Sequence, residues 1–335
     1  NLDFNKRDLQ KSVLINNTLA KSYDYIGSYS EAYQHYSESN KIVENAFKNK
    51  VNKNKFNKLV NTRLNSIANI EGKFHIDKEI YDKHIDPVFL IGFPRSGTTL
   101  LDTILRTHKS IEVIEEKLLV ADLIDKLKNY TKDNILNLNS IDRDTIKDLR
   151  ELYFKKREAL VGFNSNNIYV DKLPLNIIYV AELNKIFPTG KFILALRNPY
   201  DVVLSCFMQP FLPNDAMSNF YNLKDGSEFY DLVMQLWEKY EKNLNLNLHI
   251  IKYEDVVNNF DNSIKKLLSF LNTDWNEDLK TFYLTASKRG IVNTPSYNQV
   301  NKPLYKESLG RWKNYNDKFS NHDLKLDKWI KKFEY

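Results

Sequence analysis

From residue 8 to about 72 the apolar residues recur at three- and four-residue spacing without a proline, which predicts amphipathic helix through this stretch. At Asp86-Pro87 the pattern changes. Val88-Phe89-Leu90-Ile91-Gly92 is a short, continuous apolar run, the mark of a strand buried on both faces of a parallel sheet. Ile168-Tyr169-Val170-Asp171, Lys191 to Leu196 and Leu248 to Tyr253 repeat that signal, with amphipathic stretches between them. Strand and helix in alternation predict an α/β fold in three layers, a parallel sheet with helices on both faces. A boundary near residue 80 then separates a helical segment, 1–80, from a domain over 81–335. Residues 128–150 and 213–227 are polar and rich in Asn or Asp, and read as surface connections with short helices.

Within the helical segment, Leu19-Ala20-x-x-Tyr23, Ile26-Gly27-x-Tyr29 and Glu31-Ala32-Tyr33-x-x-Tyr36 resemble the tetratricopeptide helix-turn-helix pattern, in which small residues let two helices pack closely. One repeat is visible, where a solenoid uses about three. The segment therefore reads as a terminal hairpin packed on the next domain, as a stub of a longer array, or as a plain pair of antiparallel helices.

Composition narrows the function classes. The net charge is +6, with lysines interleaved among Asp, Glu and Asn and no arginine-rich run, so no nucleic-acid partner is expected. The mild positive excess suits an anionic ligand. Cys206 is the only cysteine, which rules out an intramolecular disulfide and a cysteine-based metal cluster and favours a reducing, cytoplasmic location. No apolar run approaches the length of a membrane span, and the first residues have no signal-peptide core.

The candidate chemistry starts at Val88 to Leu101, VFLIGFPRSGTTLL: a buried strand, a turn bounded by Gly92 and Gly97, then Thr98-Thr99 opening an apolar-periodic helix. Backbone N–H groups at a helix start, reinforced by the helix dipole, make a cradle for an anion. The spacing GxxxxG matches a nucleotide triphosphatase loop, but the lysine that should follow Gly97 is missing, and Arg95 stands inside the turn instead. Further on, KFILALRNPYDVVLS puts Arg197 just past a strand and Ser205 eight positions later, on a helix that Pro199 and Asp201 start well.

PRSGTT resembles the 5′-phosphosulfate loop of the sulfotransferases that use 3′-phosphoadenosine 5′-phosphosulfate (PAPS), closest to the tetratricopeptide-containing bacterial and the tyrosylprotein enzymes. The resemblance runs from residue 87 to about 313. It implies a nucleotide-hydrolase-like sulfotransferase fold, PAPS as donor, 3′-phosphoadenosine 5′-phosphate (PAP) as product and no metal. Arg95, Ser96, Gly97, Thr98 and Thr99 would hold the 5′ end of the nucleotide, with Arg197 and Ser205 on its 3′-phosphate. Glu116, the second carboxylate of Val113-Ile114-Glu115-Glu116-Lys117, would be the general base, with Glu115 as alternative. Lys172, in Val170-Asp171-Lys172-Leu173-Pro174, would touch the leaving phosphate oxygen, and Arg95 would share in catalysis. Tyr253, Ser296 and Arg311 would contact the 3′-phosphoadenosine.

The acceptor is then a hydroxyl on a sugar, a lipid, a small molecule or a protein tyrosine. An arginine that the tyrosylprotein enzymes carry shortly after the Glu pair is absent at Lys117-Leu118-Leu119, which weighs against a tyrosine peptide. A homodimer, and a protein partner taken by the N-terminal helices, are further expectations. Two other classes stay open at this point: a magnesium-dependent nucleotide phosphotransferase using the same loop, and a non-enzymatic scaffold built on the helical hairpin.

Overall fold

A computed structural model describes residues 2–68, 84–132, 134–288, 301–304, 306–319 and 324–335. In chain order its helices are α1 (Leu2–Tyr25), α2 (Tyr29–Phe47), α3 (Lys53–Ala68), α4 (Thr98–Arg106), α5 (Leu119–Thr131), α6 (Arg143–Val161), α7 (Val180–Ile186), α8 (Pro199–Phe207), α9 (Leu223–Asn243), α10 (Tyr253–Asn258), α11 (Phe260–Leu271), α12 (Phe282–Lys288), α13 (Asn316–Phe319) and α14 (Leu324–Phe333). Its strands are β1 (Val88–Gly92), β2 (Ile111–Glu115), β3 (Ile168–Lys172), β4 (Lys191–Leu196) and β5 (Asn247–Lys252). The chain divides into two compact units. The first takes Asn1–Val60, Asn198–Leu232 and Lys306–Tyr335; the second takes Asn61–Arg197 and Val233–Tyr305.

The second unit holds a five-stranded parallel sheet in the order β2-β3-β1-β4-β5. β1 is buried along its whole length, which is why it reads as an unbroken apolar run with no alternation. On one face Val88, Leu90, Val113, Val170, Ile193 and Ala195 pack with Leu101, Ile104 and Leu105 of α4 and with Ile264, Leu267 and Leu268 of α11. On the other, Phe89 meets Phe192 at 5.4 Å between ring centroids, Phe187 at 5.6 Å and Tyr153 of α6 at 6.3 Å. Helices thus cover both faces, giving the three layers the alternation predicts. Behind the sheet, Asp86 accepts from Arg150 Nη1 at 2.6 Å and from the amide and hydroxyl of Thr189 at 2.9 and 2.8 Å, which ties the amino ends of β1 and β4 to α6.

Two local readings change. The full helix Arg143–Val161 begins inside 128–150, where a polar connection with short helices is expected. Asp142 caps it by accepting from the Thr145 amide at 2.8 Å, and Gly162, at φ 73°, ends it. Its buried stripe, Ile146, Leu149, Tyr153 and Phe154, has helical spacing hidden among charged neighbours. Tyr253 does not end the last strand but opens α10.

The first unit carries the hairpin. Gly27 turns the chain from α1 into α2 at φ 82°, a left-handed conformation that suits glycine. Ala20 and Ala32 are fully buried, as a close helix pair requires. Asn17 donates to Ser39 Oγ at 2.6 Å, and the Tyr23 and His35 rings stack at 5.4 Å. In the same unit the Asp201 carboxylate accepts from the amides of Gly310 and Trp312 at 2.7 and 2.9 Å, and Trp312 stacks on Tyr200 at 4.6 Å.

Candidate active site

In an open parallel sheet the connections diverge to opposite sides where strand order reverses, leaving a crevice at the carboxyl ends in which ligands bind. The order of this sheet reverses about β1. The turn Phe93 to Gly97 leaves the end of β1, and Glu116 follows β2. Lys172 closes β3, Arg197 follows β4, and Tyr253 follows β5. Each of the five strands delivers, at its carboxyl end, a residue singled out from the sequence.

The turn after β1 is tightly built. Ser96 donates its amide to Phe93 O at 3.2 Å, and α4 starts at Thr98 with its first N–H groups directed away from the helix body. The Ser96 hydroxyl is buried and has no hydrogen-bond partner among the described residues, an orphaned donor inside an anion-type turn. Gly97 sits at φ 96°, and a Cβ there would lie 2.8 Å from the Tyr253 ring. Gly97→Ala should therefore destabilise the protein by about 1–3 kcal/mol in urea unfolding, through the strained left-handed backbone together with the displaced ring beside it. An unchanged midpoint would show that the turn relaxes freely.

Arg95 lies at φ 70° and Glu116 at φ 50°. Lys132 and Asn272, also at positive φ, are helix caps, where that conformation is routine. Arg95 and Glu116 have no such excuse, and strained backbone outside caps gathers at functional sites. The Arg197 guanidinium lies over the Tyr253 ring at 4.9 Å and donates to Arg95 O at 3.5 Å, so the ends of β4 and β5 close against the turn.

The end of β3 is a charged knot. Lys172 is fully buried, and its ammonium donates to Glu116 Oε1 at 2.8 Å and to Glu115 Oε1 at 3.1 Å. The Glu116 amide donates to Lys172 O at 2.8 Å, extending the β2–β3 ladder by one residue. A third carboxylate, Asp102 of α4, places Oδ2 3.8 Å from the same ammonium, while its Oδ1 accepts from Arg106 Nε at 2.9 Å. Burial pushes the Asp102 carboxyl up, against the opposing pull of Arg106 and Lys172. Asp102 does not appear in the sequence reading. Its signal was an acid inside the apolar run Leu100-Leu101-Asp102-Thr103-Ile104-Leu105, on a helix with no exposed face as far as Leu105, where a charge needs a buried partner.

The model described as the sulfotransferase family matches residues 87–277, more than half of the chain. The chain belongs to the sulfotransferase family. It is 26% identical over 243 residues to protein-tyrosine sulfotransferase 1 of Danio rerio, covering 70% of this chain and 67% of that one. It is 27% identical over 257 residues to an uncharacterized protein of Aquifex aeolicus, covering 74% of this chain but only 32% of the other, so the chain spans about a third of that relative's length. Among solved structures, the sulfotransferase domain from the Synechococcus PCC 7002 olefin synthase aligns with a TM-score of 0.51 at 19% identity, over 78% of this chain and 98% of that one, a likeness of fold.

In this sulfotransferase, the residues from Arg95 to Thr99 with Glu116, Lys172, Arg197 and Tyr253 all belong to the sheet unit. Ser205 lies half-buried on α8 in the other unit. Arg311 is there too, its Nη2 2.6 Å from Asp24 Oδ2 of α1. Ser296 lies outside the described residues. Among the described residues no group of three or more His, Cys, Asp or Glu side chains is arranged to hold a metal ion, and no helix is long and apolar enough to cross a membrane.

Proposed function

We propose that this sulfotransferase moves a sulfuryl group from PAPS to an acceptor hydroxyl by in-line displacement. The observation that carries the reading is the convergence of the Arg95 turn, Glu116, Lys172, Arg197 and Tyr253 at the carboxyl ends of five parallel strands. Sulfuryl transfer, like phosphoryl transfer, has a loosely bonded transition state, so catalysis comes from positioning, charge stabilisation and a base on the attacking hydroxyl. The residues present suit the donor. The turn from Arg95 to Thr99, with the unsatisfied Ser96 hydroxyl, offers a planar cation and a helix start to a phosphosulfate. Arg197 and Tyr253 offer a cation and a ring face beside that turn. Ser205, Ser296 and Arg311 are assigned to the 3′-phosphoadenosine on the family resemblance.

Glu116 is the residue best suited to take the proton of the acceptor. Its side chain is 39% exposed, whereas that of Glu115 is 14% exposed, so of the two carboxylates Glu116 reaches an incoming hydroxyl. Lys172 presents a fixed positive charge for the oxygen that leaves with PAP. Calorimetry with PAP tests the reading. Binding should be seen in the micromolar range, and Arg95→Ala should weaken it roughly 10- to 100-fold, the scale of a charge-assisted hydrogen bond. No heat of binding at millimolar PAP would end it.

A further inference from the structure

The knot around Lys172 contains two carboxylates that the reaction as written does not use, Glu115 and Asp102. Of the three carboxylates at the ammonium, Glu116 must leave it electrostatically, because a base that accepts the acceptor's proton becomes neutral. That loss falls at the moment when Lys172 has to stabilise charge on the departing phosphate. A wholly buried ammonium then depends on the carboxylates that remain, Glu115 at 3.1 Å on a side chain 14% exposed and Asp102 at 3.8 Å, fully enclosed. Asp102 cannot leave. It is 0% exposed, it lies within the second turn of α4, and Arg106 grips its far oxygen at 2.9 Å. Asp102, Glu115 and Glu116 lie about Lys172, with Arg106 behind Asp102.

From this geometry we infer that Asp102 is a positioning residue, an enclosed counter-charge that, with Glu115, holds the Lys172 ammonium in place while Glu116 takes up a proton. Asp102 also lies on the helix whose first turn forms part of the anion cradle, so one rigid element sets both the donor's phosphosulfate and the lysine that faces it. Asp102 touches neither donor nor acceptor in this scheme and acts only through Lys172. The inference rests on the PAPS reading above.

A double-mutant cycle tests it. Turnover with labelled PAPS is measured for the wild type, Asp102→Asn, Lys172→Met and the double variant, and PAP affinity is measured for each by calorimetry. Asp102→Asn should lower turnover about tenfold or more with PAP affinity and acceptor KM within about threefold, and Asp102→Glu should recover most of the loss. In the Lys172→Met background the same Asp102→Asn change should cost less than about twofold, because its partner is already gone. An equal loss in both backgrounds, or wild-type turnover in Asp102→Asn, would overturn the inference. Should Asp102→Asn not fold, Asp102→Ser is read in the same way, and failure of both to fold would assign Asp102 to the architecture alone and overturn the proposal. A wild-type protein that does not bind PAP would instead sink the donor reading, a result the cycle keeps separate.

Discussion

Replacing Glu116 by Gln is expected to lower turnover about a hundredfold or more while leaving PAP affinity within about threefold. The side chain keeps its size and can still accept from Lys172, so the knot at the end of β3 stays filled; what disappears is the capacity to take a proton. Glu115→Gln is the informative companion. Glu115 also accepts from Lys172, at 3.1 Å, but its side chain is largely buried, so its loss should cost less than that of Glu116. The measurement is transfer of label from PAPS to the best acceptor found in a panel of sugars, phenols, lipids and a tyrosine peptide. Comparable turnover in the wild type and Glu116→Gln would remove Glu116 from the chemistry, and a larger loss in Glu115→Gln would exchange the two roles.

The second large effect concerns stability. Asp171 is fully buried on the sheet face opposite Lys172. Tyr153 donates to its Oδ2 at 3.0 Å, and its Oδ1 has no hydrogen-bond partner among the described residues. Burial pushes its carboxyl up to about 7, against a small opposing pull from the Tyr153 hydroxyl. A carboxyl that holds its proton more tightly folded than unfolded contributes stability that is complete below about pH 4 and is lost as the pH rises through about 7. At 1.36 kcal/mol per unit the loss is about 4 kcal/mol. Urea unfolding of wild type and Asp171→Asn between pH 4.5 and 8.5 should show the variant gaining on the wild type by that order as the pH rises. Parallel stability curves would mean that the folded Asp171 carboxyl ionises as readily as an exposed one.

Much of this architecture was readable from residue pattern. β1, β3 and β4 are buried on both faces and therefore announce themselves as apolar runs, and the Gly92 to Thr99 turn is marked by glycines that its backbone needs. The charge-lined ends of the strands were legible because Lys172 and Arg197 stand at the end of such a run and Arg95 lies in the turn that follows one. Helix α6 was not, since Lys, Arg, Asp and Glu crowd its solvent face and mask a sparse apolar stripe. Asp102 was missed for a different reason. Its meaning lies in a contact with a residue 70 positions away, and no local pattern in the chain encodes a pairing of that range. Asp201 shows the same limit. It looks like an ordinary first-turn acid on α8, yet its carboxylate is taken up by the amides of Gly310 and Trp312.

The clamp at Asp86 bears on how the catalytic edge can behave. One carboxylate grips Arg150 and both donors of Thr189, so β1 and β4 are riveted at the ends remote from the chemistry. The turn after Gly92 therefore springs from a strand whose far end is anchored. The same carboxylate anchors the start of β4, so the strand that carries Arg197 to the opposite edge shares one fixed footing with the strand that leads into the Arg95 turn.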